Sequence, residues 1–478
     1  MIAAKLLEEL VAYAKRFSAG IGHIYTRKSI RLTAMTGAAA TEIGGTTTAS
    51  EFGYMRKNSH ATQADIEDFA DTRMNIIDEI SFADYRNVLT KTSHNLQLFT
   101  NENEFVYGSI AMVFLGDFCQ LETISGDCIY KVGNADGYLW GGCLNCMVEL
   151  KGTHRYAGCP ILKQIIPHMR EHGLSAEHRA LLNTRVINKN GVKMPDPATT
   201  RYATYTNVKR CQINADVFKS YLEKNHKHCK IDDICPTAIV IKADAHWTHL
   251  NGRALSFAQR KRLFEECSEA NIKNTRSKRC DPLLCLFDGC HLMGNVNSDV
   301  ANGIANGTTC TLKHVVLKAG KRPHPIRMHD CWVNAVEVSD VKHMELNFHD
   351  SSQFVGRFRI IASKATYKVV FPVMEQGRIV KMKTTMDLTQ FPIVVNHATT
   401  GHKLQGKTLD RLVIAQWSEK KNWSYVAISR VRTLGGLYLK KAIPDGIDFS
   451  PPKEYLNMMS DLRARILANP TDHNLEEM

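Results

Sequence analysis

Two apolar runs that each end in polar side chains constrain this sequence more than any other feature. The run NIIDEISF, residues 75–82, contains two adjacent carboxylates, Asp78 and Glu79. A buried strand that ends this way is typical of sites for phosphoryl transfer, where the first carboxylate serves magnesium and the second polarises the attacking water. Alone the pattern is weak, because many buried strands end in a solvated acidic turn.

The second run, SIAMVFLGDFCQL at residues 109–121, strengthens this interpretation. It is again apolar and stops at Gly116 and Asp117, with Gln120 three residues further on. Neighbouring parallel strands of an open α/β sheet place their carboxyl ends around one ligand crevice. A glutamine there can contact a terminal phosphate or position a water, although it can also be a turn residue that bonds local backbone. Together the two runs favour a nucleotide site.

The composition is that of a globular protein with a basic surface. At 478 residues and 44% hydrophobic content, the chain is long enough for about two to four domains. The excess of 61 Lys+Arg over 48 Asp+Glu, a net charge of +13, favours a polyanionic partner such as nucleic acid, although a basic solvated surface is the ordinary explanation. No run reaches the roughly 18 apolar residues of a membrane span, and no signal-peptide pattern is present. We therefore expect an intracellular protein without a membrane partner, whose 14 cysteines are reduced.

One group of cysteines invites a metal hypothesis. Cys143 and Cys146 form a CxxC pair, and His154 and Cys159 follow. No second CxxC accompanies the first, and Cys146 begins the strand-like run CMVEL. A structural zinc site is therefore not favoured.

The order of the predicted elements indicates α/β layers interrupted by a β-rich insertion. The strand-like runs RYATYT and TAIVIKA lie on either side of a helical pattern at 207–225, as alternating α/β architecture requires. From 308 to about 395 the chain changes to consecutive strand-like runs. After them, LDRLVIAQ and GGLYLKKA return it to the α/β pattern.

The segment GHKLQGKT, residues 401–408, matches the phosphate-loop pattern GxxxxGK[ST], but we do not interpret it as a phosphate loop. A phosphate loop connects a buried strand to a helix whose N-terminal amides hold the phosphates. This match is followed at once by the strand-like LDRLVIAQ. A polar loop that carries Thr400, His402, Lys403 and Gln405 is better suited to a nucleic-acid backbone. Lys407 is then a spectator beside that loop.

Seven blocks of the sequence, taken in order, resemble the motifs of the Pif-one/RecD-like helicases of superfamily one. The blocks are TAMTGAAATEIGGTTTASEF, NIIDEIS, MVFLGDFCQL, LKGTHRY, IANGTTCTL, NHATTGHKLQGKTLD and YVAISRVRTLGGLYL. They span nearly the whole chain, so the resemblance does not depend on one short pattern.

The resemblance implies an α/β fold with two RecA-like domains of the P-loop NTPase type, each built on a parallel sheet, and a small β-barrel insertion in the second. The implied boundaries are 1–160 for the first RecA-like domain, 161–307 and 393–450 for the two parts of the second, 308–392 for the barrel, and 451–478 for a C-terminal helix and tail.

The resemblance also implies roles for single residues at an ATP site. Asp78 would bind magnesium, Glu79 would activate the water, and Gln120 would contact the terminal phosphate of ATP. Arg155 and Arg430 would reach that phosphate from the second domain and stabilise its charge, as arginine fingers do. A surface or interdomain salt bridge is the alternative role for both arginines.

A second set of residues would contact single-stranded DNA by the same resemblance: Thr36, Gly37, Ser50, Thr400, His402 and Lys403. The implied activity is that of an ATP-dependent 5′ to 3′ DNA helicase, a monomer that acts on single-stranded DNA and DNA junctions. DNA repair, recombination, and telomere or replication maintenance are the implied roles. The implied compartment is the nucleus, with mitochondria or the cytoplasm as alternatives. RNA is the alternative substrate.

The sequence departs from the family pattern at three places. The glycine-rich phosphate loop and its strand should precede the opening helix, but Met1 stands where the loop would have ended. We therefore expect little or no ATP hydrolysis, and an unpaired edge in the first sheet. Ala49 replaces a histidine of the first DNA motif, and Glu122-Thr123 replaces a double proline. The alternative function is accordingly a catalytically dead, single-strand-binding remnant of a helicase or transposon-borne helicase.

Overall fold

The structure of this protein, a computed structural model, describes nine continuous ranges: 28–54, 60–123, 127–131, 138–150, 154–225, 234–247, 281–297, 305–348 and 356–468. Of the first 27 residues it describes 9, 12–17, 20 and 26. No helix within this part of the chain combines the length and the apolar character that crossing a membrane requires.

The first unit is built on a parallel sheet in the order β2-β1-β3-β4. Its strands are β1 (Ile30–Ala34), β2 (Thr46–Thr47), β3 (Met74–Asp78) and β4 (Ala111–Phe114). Its helices are α1 (Gly37–Glu42), α2 (Thr48–Glu51), α3 (Gln63–Phe69) and α4 (Thr90–Thr100). Ile76 and Ile77 of β3 are fully buried, because a strand inside a parallel sheet is covered on both faces.

The first sheet is predicted to have an unpaired edge, and β4 lies at one of its edges. Among the described residues no strand pairs with the outer side of β4. Ala111 is exposed, and the other three residues of β4 are half-buried. The expectation that an interior strand and its phosphate loop are missing stays a prediction.

The second unit is built on another parallel sheet, in the order β18-β5-β19-β20. Its strands are β5 (Arg201–Thr204), β18 (Ala398–Thr400), β19 (Leu412–Ile414) and β20 (Leu437–Leu439). The helices of this half are α5 (Pro160–His172), α6 (Ala176–Asn183), α7 (Asn207–Asn225), α8 (Gly401–Leu404), α9 (Trp423–Ile428) and α10 (Lys453–Ala468). Strands β5 and β18 are neighbours in this sheet, although β5 ends at Thr204 and β18 begins only at Ala398. The chain therefore leaves the sheet after β5 and returns to it at β18. The predicted α/β fold with two parallel sheets is confirmed.

Three further sheets lie between β5 and β18, in the orders β14-β13-β10-β9-β17, β11-β12-β6-β8 and β15-β16-β7. Their strands are β6 (Cys235–Lys242), β7 (Asp244–Trp247), β8 (Leu283–Phe287), β9 (His291–Gly294), β10 (Thr309–Leu317), β11 (His324–Met328), β12 (Cys331–Glu337), β13 (Val341–Phe348), β14 (Gly356–Ile360), β15 (Ser363–Glu375), β16 (Arg378–Gln390) and β17 (Ile393–Val395). All the pairings are antiparallel except that of β6 with β12.

The β-rich region therefore begins at Cys235 and not at the predicted boundary of 308. The run TAIVIKA, predicted to belong to the α/β layer, is strand β6 and pairs antiparallel with β8. Periodicity could not reveal this, because a short continuous apolar run looks the same in a buried parallel strand and in a sheet packed against another layer.

Candidate nucleotide and nucleic-acid site

The two carboxylates lie at the carboxyl end of β3, as the sequence predicts. Asp78 is the last residue of the strand, and its Oδ1 accepts a hydrogen bond of 2.8 Å from the backbone N–H of Glu79. Glu79 has a left-handed backbone, with φ 56° and ψ 42°. Such a conformation is uncommon for a residue with a side chain, and strain of this kind clusters at functional sites.

Burial gives Glu79 the properties of a base. Its Oε2 is buried and has no hydrogen-bond partner in the structure. Burial raises the pKa of Glu79 to about 7, and the neighbouring charge of Asp78 acts in the same direction while Arg430 opposes it. A pKa near neutrality suits a group that takes a proton from water at physiological pH.

Arg430 follows helix α9 and is one of the largest fully buried side chains. Its Nε donates to the carbonyl of Val426 at 2.9 Å, and one terminal nitrogen donates to Oγ of Ser429 at 2.7 Å. The other terminal nitrogen is buried without a partner. Burial lowers the pKa of Arg430, and the nearby positive charge of Arg155 lowers it further. A buried cation with an unpartnered donor has the capacity to bind an anion that is not part of the chain.

Arg155 lies beside Arg430 and joins the same group. Its Nε donates to Oγ1 of Thr408 at 3.1 Å, and a terminal nitrogen donates to the carbonyl of Ser429 at 3.1 Å. All the acceptors of Arg155 and Arg430 named here are neutral hydroxyl or carbonyl oxygens. These contacts are therefore not the surface or interdomain salt bridge that was the alternative role of the two arginines.

The GHKLQGKT segment ends at this site, which the sequence interpretation missed. A Cβ placed on Gly406 would lie 3.8 Å from Oε1 of Glu79, and Thr408 accepts from Arg155. The match of Gly406, Lys407 and Thr408 to the phosphate-loop pattern was the sequence signal that could have placed this segment at the nucleotide site. As predicted, β19 and not a helix follows the segment, so the helix whose N-terminal amides a phosphate loop uses does not follow it. Nζ of Lys407 lies 3.9 Å from Oε1 of Glu42.

Gln120 lies on the loop that follows β4. Its side-chain Oε1 is buried without a hydrogen-bond partner, and its backbone carbonyl accepts from Nδ2 of Asn422 at 2.9 Å. Buried polar atoms are nearly always partnered. Unpartnered atoms occur here on Glu79, Gln120 and Arg430, which are three of the five residues predicted at the ATP site.

Two of the predicted DNA-contact segments meet across the two units. Thr36 caps α1, and Gly37 begins that helix in the first unit. A Cβ on Gly37 would lie 2.7 Å from Oδ1 of Asn297, so any larger residue would have to displace that amide side chain. Asn306, nine residues beyond Asn297, donates its N–H to the same oxygen and accepts from Nζ of Lys403 at 2.8 Å. The start of α1 and the GHKLQGKT segment therefore share one small polar surface.

The other predicted DNA residues occupy different settings. Thr400 precedes α8 and is half-buried, whereas Ser50 is exposed on α2. The ring of His402 lies 6.3 Å from that of Phe82 in the first unit. Burial lowers the pKa of His402 to about 4, and the charge of Lys420 adds to the effect. His402 is therefore neutral at physiological pH, and its ring can form hydrogen bonds or stack but does not act as a cation.

The cysteine group considered for zinc is not assembled. Cys143 is half-buried, Cys146 is exposed, and Cys159 is buried with its Sγ accepting from the N–H of Leu434. No group of three or more His, Cys, Asp or Glu side chains in the described ranges is arranged to hold a metal ion.

No protein-family model and no curated protein matches this sequence. Solved structures of Pif1 helicases do match its fold. The Pif1 helicase from Candida albicans is 18% identical, with a TM-score of 0.60 over 96% of this chain and 93% of that one. Pif1 from Bacteroides in complex with ADP-AlF3 and single-stranded DNA is 18% identical, with a TM-score of 0.57 over 93% of this chain and 89% of that one.

A second Bacteroides Pif1 structure, bound to single-stranded DNA, is 19% identical, with a TM-score of 0.56 over 95% of this chain and 90% of that one. At such identities the likeness shows the fold. It extends over nearly the whole chain, and the resemblance inferred from seven sequence blocks is confirmed at that level.

Proposed function

We propose that this protein is an ATP-dependent DNA helicase of the Pif-one type that moves 5′ to 3′ along single-stranded DNA. The observation that carries the proposal is the meeting of Glu79, which follows β3 of the first unit, with Arg430 of the second unit, beside which Arg155 lies. The Bacteroides Pif1 structure with ADP-AlF3 and single-stranded DNA supports both ligands by likeness of fold.

The site fits a magnesium nucleotide. Mg²⁺ prefers carboxylate oxygen and commonly takes one or two protein carboxylates together with phosphates and waters, so Asp78 with Glu79 can suffice without a third protein ligand. When bound, magnesium would neutralise charge on the phosphates. Glu79 would hold and deprotonate the attacking water, while Arg155, Arg430 and Gln120 would bind the terminal phosphate and stabilise its charge in the transition state.

The polar surface at Gly37 and Lys403 is where we propose that single-stranded DNA binds. It joins both units, so a change in their separation on nucleotide binding would move one DNA contact relative to the other. Action on DNA junctions as a monomer, the roles in repair, recombination and telomere or replication maintenance, and nuclear localisation belong to the proposal through the family resemblance.

ATP hydrolysis tests the catalytic half of the proposal. DNA-stimulated hydrolysis that Glu79→Gln abolishes would support it, since the amide keeps the shape of the side chain but cannot take a proton. The same result would overturn the expectation of little or no hydrolysis that the missing phosphate loop gives. Glu67→Gln, on the exposed side of α3, is the control and should retain the activity of the wild type. Binding of single-stranded DNA without any hydrolysis would instead identify the alternative, a single-strand-binding remnant.

DNA affinity tests the binding half. The affinity for a single-stranded oligonucleotide should fall steeply with salt, because phosphate contacts release counterions. Lys403→Ala should weaken binding and reduce the salt slope by about one. Lys321→Ala, which removes a surface partner of Asp340 in the β-rich region, should change neither. Equal affinity of Lys403→Ala and the wild type would refute the placement of the DNA, and a parallel titration with RNA tests the alternative substrate.

A further inference from the structure

The loop that carries Gln120, residues 116–121 and here termed the glutamine loop, begins in the first unit. The residue before it, Leu115, donates to the carbonyl of Ile77 and accepts from the N–H of Ile80, both at 2.9 Å. A Cβ on Gly116 would lie 3.0 Å from Cγ2 of Ile80. The start of the loop is thus packed tightly against the turn that carries Glu79.

From Asp117 onward the contacts of the loop pass to the second unit. Oδ2 of Asp117 accepts from the hydroxyl of Tyr425 at 3.1 Å. Oδ1 lies 3.5 Å from a terminal nitrogen of Arg170 and accepts from the loop's own Cys119 N–H at 3.0 Å. Both oxygens of the carboxylate are therefore engaged, and two of the three partners come from helices α5 and α9 of the second unit.

The backbone of the glutamine loop is held from the same side. Nδ2 of Asn422 donates to the carbonyls of Phe118 at 3.3 Å and Gln120 at 2.9 Å. Nε2 of Gln405 donates to the carbonyl of Leu121 at 3.2 Å. Three carbonyls of a first-unit loop are thus bound by side chains that lie 284 to 304 residues later in the chain.

Burial agrees with the hydrogen bonds. Cys119 is 3% exposed and Leu121 is 0% exposed, and both pack in the core cluster that contains Leu162 of α5, Ile414 of β19 and Val426 of α9. Phe118 contacts the core clusters of both units. Tyr425 is buried as well, and its pKa is raised by burial and then by the charge of Asp117, so its hydroxyl remains a donor at any physiological pH.

We infer that residues 117–121 of the glutamine loop are mechanically part of the second unit, with Asp117 as the residue that ties them there. Tyr425, Arg170 and Asn422 act as positioning residues. Gln120 then moves together with Arg155 and Arg430 when the two units separate, while Asp78 and Glu79 stay with the first sheet, and the peptide between Gly116 and Asp117 is the hinge. This inference rests on the proposed function for its role in catalysis, because it assigns all three phosphate-binding side chains to one moving body.

Hydrogen exchange tests the attachment without any ligand. Tyr425→Phe removes one hydroxyl and leaves the ring that packs in the core. We expect exchange of the amides of residues 117–121 to rise at least tenfold, with no change in residues 76–82 of the first unit. Tyr438→Phe, on β20 of the same unit, is the matched control and should leave both segments unchanged. Unchanged exchange of residues 117–121 in Tyr425→Phe and in a second variant, Asn422→Ala, would overturn the inference.

Ligand coupling tests the consequence for function. The ratio of single-stranded-DNA dissociation constants without and with ADP–aluminium fluoride measures the coupling of the two sites. In Tyr425→Phe this ratio should fall at least threefold, while the affinity for DNA alone stays within twofold of wild type. A merely structural defect would instead lower the melting temperature together with the affinities for DNA without and with ADP–aluminium fluoride. A wild-type ratio that Tyr425→Phe preserves would overturn the inference. A wild type that binds neither ligand would refute the proposed function, and the exchange result would still decide where the loop belongs.

Discussion

Replacement of Arg430 by methionine separates the catalytic value of this residue from its contribution to stability. Arg430→Met should leave the free energy of unfolding within about 1 kcal/mol of wild type, because the opposing effects are of similar size. One buried terminal nitrogen of Arg430 has no partner, and a buried unpaired donor costs about 1–3 kcal/mol. The positive charge of Arg155 opposes that of Arg430, and this repulsion also disappears on substitution.

The losses are limited by what remains after the substitution. Arg430 donates to the carbonyl of Val426 and to Oγ of Ser429, and hydrogen bonds from a charged group contribute about 1.5–3 kcal/mol each. Oγ of Ser429 also donates to the carbonyl of Val426 at 3.2 Å, so this acceptor keeps a partner. Methionine fills much of the volume, whereas Arg430→Ala leaves a cavity and should cost about 2–5 kcal/mol.

Urea unfolding of the three proteins measures these differences, with the slope m checked for constancy. DNA-stimulated ATP hydrolysis is measured in parallel, and whatever rate the wild type shows should fall about 10³-fold or more in both variants. Arg432→Met is the control: that side chain is 62% exposed, and its partner Asp410 is 90% exposed, so the pair contributes little. A loss of more than about 2 kcal/mol in Arg430→Met would refute the reasoning and make the guanidinium a structural clamp.

Three further predictions concern single residues around the site. Gly37→Ala should weaken single-stranded-DNA binding about fivefold, since the new Cβ must displace Asn297. Gly446→Ala is the control and should not weaken binding, because nothing lies within 4 Å of its Cβ. Oligonucleotide titration measures both affinities. Lys407→Ala should leave the affinity for a fluorescent nucleotide nearly unchanged, because no helix follows this lysine, and a large loss of affinity would restore the segment as a phosphate loop. The pKa of His402 falls from 6.5 to about 4 on folding, so the unfolded chain binds more protons between these values and stability should fall as pH decreases through that window. His402→Gln should remove part of this dependence in urea titrations at pH 7 and pH 5, and an unaltered pH dependence would show that His402 is not buried as a neutral group.

The sequence by itself determined the local elements that carry the chemistry. The run NIIDEISF contains β3 with its two carboxylates at the end, because a strand buried on both faces must be apolar and only its end can carry charge. The strand-like pattern after GHKLQGKT correctly predicted the strand β19 that follows this segment, and the element that follows such a lysine decides whether amide dipoles converge on a phosphate. Both inferences depend on residues that are close together in the chain.

The tertiary structure decided every property that depends on residues far apart in sequence. Periodicity assigned TAIVIKA to the α/β layer, yet its antiparallel partner β8 places it in the β-rich region. The pKa of Glu79 rises to about 7 through burial, which no local pattern encodes. Asp117 and Tyr425 stood in recognised blocks, but their hydrogen bond joins positions 308 residues apart. Local patterns specify which groups a strand presents at its end, whereas burial and long-range packing set the charge of those groups and the body with which they move.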